Sequence, residues 1–213
     1  QIDHKNNMVT GQNKIPIMGE RYFIQLILYS ILKKCYKANF KITAVDANRQ
    51  ILEKLIASLE GYKEITAVCL DLERKGLVLA EALDDRLFDL VLVTNYLHRP
   101  VLGQIFELVR PGGLLLYETF GKGNEIFGRP SNPDFLLCEG ELTSALPDRF
   151  TMRHQFFGQR RNIYPDRPPA IICQRSIASA GPEGLPNTCP SKLSTESQPS
   201  TAVISASPTG SSC

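Results

Sequence analysis

Cysteine pairs, histidine clusters and long apolar runs are all missing from this sequence, and each absence excludes a class of protein. The six cysteines form no CxxC pair and follow no regular spacing, so we expect no disulfide framework and a reducing, cytoplasmic location. The three histidines, His4, His98 and His154, stand far apart and join no acidic or cysteine cluster. We therefore expect no metal site.

A charge of one sign is missing too. The chain carries 24 lysines and arginines against 22 acidic residues, and the net charge of +2 is scattered along it. This balance gives no reason to expect nucleic acid as a partner. The most apolar helix candidate, residues 22–32, is shorter than the roughly 20 residues that a membrane span needs, and residues 1–17 lack the apolar segment of a signal peptide. We expect no membrane partner, and nothing in the sequence indicates an oligomeric state.

Glycine is scarce where a cofactor loop would need it. Only Gly11 and Gly19 precede Asp46, and neither belongs to a cluster of an acid with several glycines. Such loops let backbone amides approach a bound nucleotide closely, because glycine has no side chain to block the approach. The part of the chain before Asp46 therefore predicts no glycine-rich loop.

Two kinds of apolar segment alternate along the middle of the chain. Short runs rich in Val, Ile and Leu predict buried strands, and longer segments with apolar residues at helical spacing predict helices. The predicted strands are residues 40–45, 65–70, 88–93 and 114–120, and the predicted helices are residues 18–36, 48–59 and 100–109. This alternation indicates an α/β protein with a Rossmann-like, doubly wound and mostly parallel sheet. Residues 110–113 predict a turn, and residues 150–157 and 170–174 predict a late antiparallel hairpin.

The chain divides into three parts by composition. Residues 1–17 are polar and irregular, and residues 18–175 contain the alternating elements of one domain. Residues 176–213 are rich in Ser, Thr and Pro and contain no aromatic residue. Because such a segment buries too little apolar surface to offset its ordering entropy, we expect the tail to be disordered.

Acidic residues follow two predicted strands, at the edge where ligands bind in parallel sheets. Asp46 ends the first strand, where a carboxylate can accept hydrogen bonds from both hydroxyls of a ribose. Asp71 ends the next, where it can accept a hydrogen bond from an adenine amino group beside the backbone of Leu72. The alternative is that each caps a helix or a turn, since Asp favours both positions.

A polar segment, residues 95–100, follows the third predicted strand. Asn95, Tyr96 and His98 stand there, where a cofactor and a substrate would meet. His98 is a candidate general base near neutral pH. The alternative is that His98 and Arg99 only decorate the start of a helix.

The motifs in their order resemble the class I S-adenosylmethionine-dependent methyltransferases. TAVDAN and CLDLE carry the acids after two strands, FDLVLVTNYLHRP resembles the family's fourth strand and its loop, and RPGGLLLYETF resembles its fifth-strand motif. GNEIFGRPSNPDFLLCEGEL resembles the stretch after the fifth strand in small bacterial-type members related to tellurite-resistance methyltransferases. The resemblance covers about residues 40–175.

The resemblance implies S-adenosyl-L-methionine as the cofactor and a small molecule as the methyl acceptor. The implied cofactor-binding residues are Asp46 and Ala47 at the ribose, Asp71 and Leu72 at the adenine, and Asn95 and Tyr96 at the methionine portion. The implied acceptor-side residues are Glu118, Arg129, Asn132 and Asp134. Alternatively, Glu118 is a strand-end acid that faces solvent, and the other three hold an irregular loop together.

The missing glycine loop leaves the function open in three ways. In the resembled fold a loop such as DxGxGxG follows a central first strand, and the best candidate for that strand, residues 14–17, contains Pro16, which cannot donate a ladder hydrogen bond. The chain is then a truncated or mis-joined product, a diverged enzyme in which residues 11–19 replace the loop, or a non-catalytic domain of this fold. We favour the first of these. A Rossmann-type nucleotide-linked oxidoreductase is a further alternative that Asp46 suits, although GxGxxG is missing as well.

Overall fold

The computed structural model describes residues 41–58, 64–161, 170–182 and 200–205. The predicted irregular segment 1–17, the predicted helix 18–36 and the candidate first strand 14–17 lie outside these residues. The tail beyond Pro182 is described only at residues 200–205.

One seven-stranded sheet organises the described residues. In chain order its strands are β1 (Lys41–Asp46), β2 (Ile65–Cys69), β3 (Phe88–Thr94), β4 (Val109–Phe120), β5 (Phe150–Arg161), β6 (Ala170–Ala180) and β7 (Ser200–Ser205). The helices are α1 (Arg49–Ser58), α2 (Leu79–Ala82), α3 (Leu102–Glu107) and α4 (Glu141–Ala145), with 3-10 turns at Arg99–Val101, Asn124–Ile126 and Pro133–Phe135. Across the sheet the strand order is β2-β1-β7-β3-β4-β6-β5.

The first β-α-β unit, formed by β1, α1 and β2, follows closely from its sequence. The side chain of Asn48 begins α1, because its Oδ1 accepts hydrogen bonds from the amides of Gln50 (3.0 Å) and Ile51 (3.3 Å). The apolar face of α1 buries Leu52 and Leu55 against the sheet. β1 and β2 then pair in parallel, as the predicted α/β architecture requires.

The predicted turn at residues 110–113 is instead an irregular part of β4. Val109 pairs with Phe88 and Leu114 pairs with Leu90, so the residues between them bulge out of the ladder. Gly112 has a φ of +76°, in the left-handed region that glycine adopts without strain. The turn chemistry was therefore identified correctly, but the strand continues across it as a bulge.

The late hairpin is confirmed and is longer than predicted. β5 and β6 pair antiparallel from Phe150 opposite Ala180 to Arg161 opposite Ala170. β6 also pairs antiparallel with β4, which attaches the hairpin to the parallel part of the sheet.

The expectation of a wholly disordered tail is wrong for two parts of it. β6 continues to Ala180, and β7 lies in the middle of the sheet, parallel to β1 on one side and to β3 on the other. The composition of the whole tail concealed a short run, residues 201–204, whose four side chains are all buried. The inner edges of β1 and β3, which would otherwise lack a partner, are joined by β7.

Both ends of β7 are fixed by acidic side chains. At its start the amide of Ser200 donates to Oδ2 of Asp89 (2.7 Å), and Asp89 also forms an ion pair with Arg110. At its end the hydroxyl of Ser205 donates to Oδ2 of Asp46 (2.9 Å). These bonds set the position of β7 along its neighbours.

Apolar cores cover both faces of the sheet, which confirms the doubly wound class. One core packs α2 and α3 against sheet residues such as Val93, Tyr117 and Ile204. The other packs α1 against residues such as Ala44 and Val203. No helix in the described ranges has the length and apolar character to cross a membrane.

Candidate functional site

A line of polar side chains crosses the carboxyl ends of the central strands. Ser205 of β7 pairs with Thr94 of β3, Thr94 pairs with Glu118 of β4, and Glu118 pairs with Arg175 of β6. Asp46 of β1 continues the line through its bond to Ser205. We call Asp46, Ser205, Thr94, Glu118 and Arg175 the carboxyl-end row. Paired residues in a sheet point to the same face, so the five side chains share one side of it.

Asp46 is the buried acid of this row. It is 1% exposed, its Oδ1 accepts the amide of Asn48 (2.7 Å), and its Oδ2 accepts the hydroxyl of Ser205. Its backbone carbonyl accepts the amide of Leu70 (3.0 Å). Asp46 therefore steadies the start of α1, as the capping alternative predicts, and it lies at the carboxyl end of β1. Its predicted bonds to a ribose stay a prediction. Ala47, the next residue, is exposed.

Thr94 is the polar residue at the centre of the row. It is 1% exposed, and within the described ranges its Oγ1 has no hydrogen-bond partner. A buried hydroxyl without a partner costs about 1–3 kcal/mol. The predicted strand ended at Val93, one residue before Thr94. Nothing in the sequence around Thr94 indicates that it pairs with Ser205 on one side and with Glu118 on the other.

Glu118 is buried, so the alternative interpretation that it is a strand-end acid facing solvent is wrong. Its side chain is 5% exposed, Oε2 lies 2.5 Å from Nε of Arg175, and Oε1 lies 3.1 Å from a terminal nitrogen of Arg160. We call Glu118, Arg160 and Arg175 the Glu118 cluster. Burial raises the pKa of the nearby Cys173 thiol, with the positive charge of Arg160 as the next influence, which acts in the opposite direction.

The loops after β2 and β3 meet at Tyr96. Tyr96 is 3% exposed, and burial raises the pKa of its phenol, with the negative charges of Glu73 and Asp71 raising it further. Its hydroxyl has no hydrogen-bond partner in the part of the chain that is described. Asp71 is exposed and accepts the amide of Glu73 (2.9 Å) in a turn, whereas Leu72 packs in the same core as Tyr96. The structure therefore brings these predicted residues together.

Asn95 and His98 follow Thr94 in the chain and differ in their local contacts. The amide of Asn95 donates to the carbonyl of Glu118 (2.9 Å). The φ of Asn95 is +52°, in the left-handed region, and this conformation turns the chain out of the sheet. His98 is half-buried immediately before the 3-10 turn Arg99–Val101, and its side chain forms no capping bond there.

The loop residues predicted for the acceptor side are exposed and lie outside the row. Arg129, Asn132 and Asp134 have this environment in common. Oδ1 of Asn132 accepts the amide of Asp134 (3.1 Å) and begins the 3-10 turn Pro133–Phe135. For Asn132 the structure thus shows the loop-holding contact that was the alternative.

An ion pair that the sequence did not reveal fastens this loop to the start of α3. Nε of Arg99 lies 2.6 Å from Oε1 of Glu141, and another guanidinium nitrogen donates to the carbonyl of Asp134 (2.8 Å). Burial raises the pKa of Glu141, but bonds from Arg99 and from the amide of Cys138 outweigh it and lower the pKa. Arg99 therefore orders the loop. Neither the separation along the chain nor any sequence motif indicated this contact.

Comparison with known proteins rests on structure, since no protein-family model and no curated protein matches the sequence. TehB from Haemophilus influenzae superposes with a TM-score of 0.50 at 15% identity, over 65% of this chain and 49% of the TehB chain. The N-methyltransferase NodS from Bradyrhizobium japonicum WM9 gives a TM-score of 0.47 at 11% identity, over 77% of this chain and 99% of that chain. A SAM-dependent methyltransferase from Anabaena variabilis ATCC 29413 gives 0.48 at 12% identity, over 75% and 84%.

The chain has the class I methyltransferase fold. The resemblance stated from the motifs is thereby confirmed at the level of fold. In this methyltransferase fold β7 takes the central position for which no convincing strand was found before Asp46.

The sequence missed Ser205, Thr94, Arg160 and Arg175. Ser205, Thr94 and Arg175 join the site through strand pairing, and Arg160 joins it through an ion pair with Glu118. These contacts link residues far apart in the chain, as in the 159 positions between Asp46 and Ser205. In the described ranges, no group of three metal-binding side chains lies together.

Proposed function

We propose that this chain binds S-adenosyl-L-methionine at the carboxyl-end row and transfers its methyl group to a small-molecule acceptor. The observation that carries the proposal is a buried acid, Asp46, at the carboxyl end of a parallel strand in a methyltransferase fold. Ligands of open parallel sheets bind at that edge. The cysteine pattern supports a reducing, cytoplasmic setting for the reaction.

The polar atoms of the site suit such a cofactor. The hydroxyls of Thr94 and Tyr96 are buried and have no partner among the described residues, so a polar ligand can satisfy them. Each carboxylate oxygen has two lone pairs. Both oxygens of Asp46 already accept one bond, from Asn48 and from Ser205. A carboxylate at the end of a parallel strand is the type of group that accepts ribose hydroxyls.

The roles of the residues follow from their places. Asp46, next to Ala47, would hold the ribose, and Asp71 with the backbone of Leu72 would hold the adenine. Asn95 and Tyr96 would lie beside the methionine portion. The cofactor supplies a methyl group on a positively charged sulfur, and the chain contributes by holding the acceptor in line with it.

The acceptor side has fewer assigned contacts. His98 is the candidate general base that would take a proton from the acceptor. Arg129, Asn132 and Asp134 lie on the exposed loop after β4, where an acceptor would enter. Glu118 lies deeper in the site, held by two arginines.

Calorimetric titration of the folded chain with S-adenosylmethionine and with S-adenosylhomocysteine tests the proposal. We expect saturable binding that Asp46→Asn weakens by about 10- to 100-fold, the loss of roughly 1.5–3 kcal/mol expected for hydrogen bonds to a charged group. Asp84→Asn is the matched control, because Asp84 is an exposed acid in a surface ion pair.

Two other outcomes would contradict the proposal, and each would favour one of the alternatives. A folded chain, as judged by circular dichroism, that binds neither compound would be a non-catalytic domain of this fold. Binding of NAD in preference to both would favour the oxidoreductase alternative.

A further inference from the structure

The Glu118 cluster carries more positive than negative charge. It contains two guanidinium groups and one carboxylate, so its net charge is +1 when all three groups are ionised. The carboxylate is 5% exposed, whereas the side chains of Arg160 and Arg175 are 22% and 35% exposed. A ligand that approaches this end of the site therefore meets the arginines first.

An exposed aromatic side chain stands next to the cluster. Phe156 of β5 pairs with Arg175, so the two side chains share the face that carries the row, and Phe156 is 41% exposed. On the same face, Gly158 lies between Phe156 and Arg160 along β5 and has no side chain to fill the gap. The ring of Phe156 lies beside Gly158, since a Cβ built at Gly158 would lie 3.5 Å from a ring atom, an ordinary van der Waals contact.

The cluster stands apart from the end of the row assigned to the cofactor. Neighbouring strands are about 4.8 Å apart, so Arg175 lies two strands, or about 10 Å, from Thr94. Asp46 lies two strands farther on, across β7. A group held by Arg175 is thus an anchor, and the atom that receives the methyl group must be another part of the same molecule.

We propose that the methyl acceptor is a small carboxylic acid with an apolar body. Its carboxylate binds Arg160 and Arg175, and its apolar body packs on Phe156. A guanidinium presents parallel N–H groups that match the two oxygens of a carboxylate. This assignment of an acceptor class rests on the proposed methyltransferase function, although the binding of an acid does not.

Titration of the ¹⁵N-labelled chain with benzoate, followed through the arginine Nε–H signals in NMR spectra, tests this inference. Benzyl alcohol and benzylamine are the neutral and cationic comparisons. We expect shifts of the Arg160 and Arg175 signals with benzoate and affinities at least about tenfold weaker for the other two compounds.

Charge variants of the cluster should act in opposite directions. Arg160→Gln lowers the cluster charge to zero and should weaken benzoate binding, whereas Glu118→Gln raises it to +2 and should strengthen binding. Arg153→Gln is the control, since Arg153 lies on the same strand but bonds Ser179 near the other end of the hairpin. If the cluster has only a structural role, Arg160→Gln and Glu118→Gln should both weaken benzoate binding or both leave it unchanged.

Three results would overturn the inference: no benzoate binding, equal binding of benzyl alcohol, or the same direction of change in both variants. If Glu118→Gln does not fold, Arg160→Lys replaces it. That variant keeps the charge without the planar fork and should bind benzoate better than Arg160→Gln. Repeating the titrations with S-adenosylhomocysteine separates the two proposals. Benzoate binding without S-adenosylhomocysteine binding would remove the methyltransferase function and leave the acid site.

Discussion

Replacing Ile204 by alanine tests whether β7 forms the centre of the sheet. Ile204 is fully buried, and its strand neighbours are Val45 and Val93. The substitution removes three carbon atoms at about 0.8 kcal/mol each, or about 2.4 kcal/mol of transfer free energy. The cavity that remains adds to this loss, and measured costs for such substitutions are about 2–5 kcal/mol. That is a large part of the roughly 5–15 kcal/mol that stabilises a typical domain.

Urea unfolding followed by far-ultraviolet circular dichroism measures the effect, since the chain has no tryptophan to report by fluorescence. Ile126→Ala is the matched control, because Ile126 is 76% exposed and its truncation should change the free energy of unfolding by less than about 0.5 kcal/mol. If Ile204→Ala costs no more than Ile126→Ala, residues 200–205 are not packed in the sheet. The central position of β7 would then be refuted.

Two further substitutions test contacts at the edge of the site and within β7. Glu141→Gln should lower the free energy of unfolding at pH 7 by about 1–2 kcal/mol, because it breaks a charged, partly exposed pair with Arg99. The folded-state pKa of Glu141 is lowered, so this contribution is complete above the unfolded value of 4.5 and disappears as the pH falls through the folded value. Urea curves should show the deficit at pH 7, and the deficit should shrink as the pH is lowered from 7 to 3. Thr201→Val should leave the unfolding temperature equal or higher, since the buried Thr201 hydroxyl has no partner in the described ranges; a clear fall would mean that this hydroxyl is hydrogen-bonded.

The parts of the fold that depend on local sequence could be predicted. The strands β1 to β4, the helix capped by Asn48 and the late hairpin each follow from periodicity and turn residues close together in the chain. The acids Asp46 and Asp71 were identified because a strand end is a local feature. Their positions at one edge of the sheet then follow from the parallel arrangement.

The remaining parts depend on contacts between distant residues. The six residues of β7 are a weak strand signal inside a Ser- and Pro-rich tail, and only the vacant place between β1 and β3 makes them a buried strand. The burial of Glu118 likewise depends on Arg160 and Arg175, which follow it by 42 and 57 positions. Averaged composition cannot reveal either arrangement, because both arise from tertiary pairing.

The place of β7 at the centre of the sheet has a consequence for synthesis. Ser205 leaves the ribosome 159 residues after Asp46, which it contacts in the finished protein. At about 5–20 residues per second, roughly 8–30 s pass during which β1 exposes an unpaired inner edge, and the inner edge of β3, which is made later, is exposed for part of that time. Exposed strand edges recruit other chains, so this nascent protein should depend on chaperones more than one whose central strand is made first.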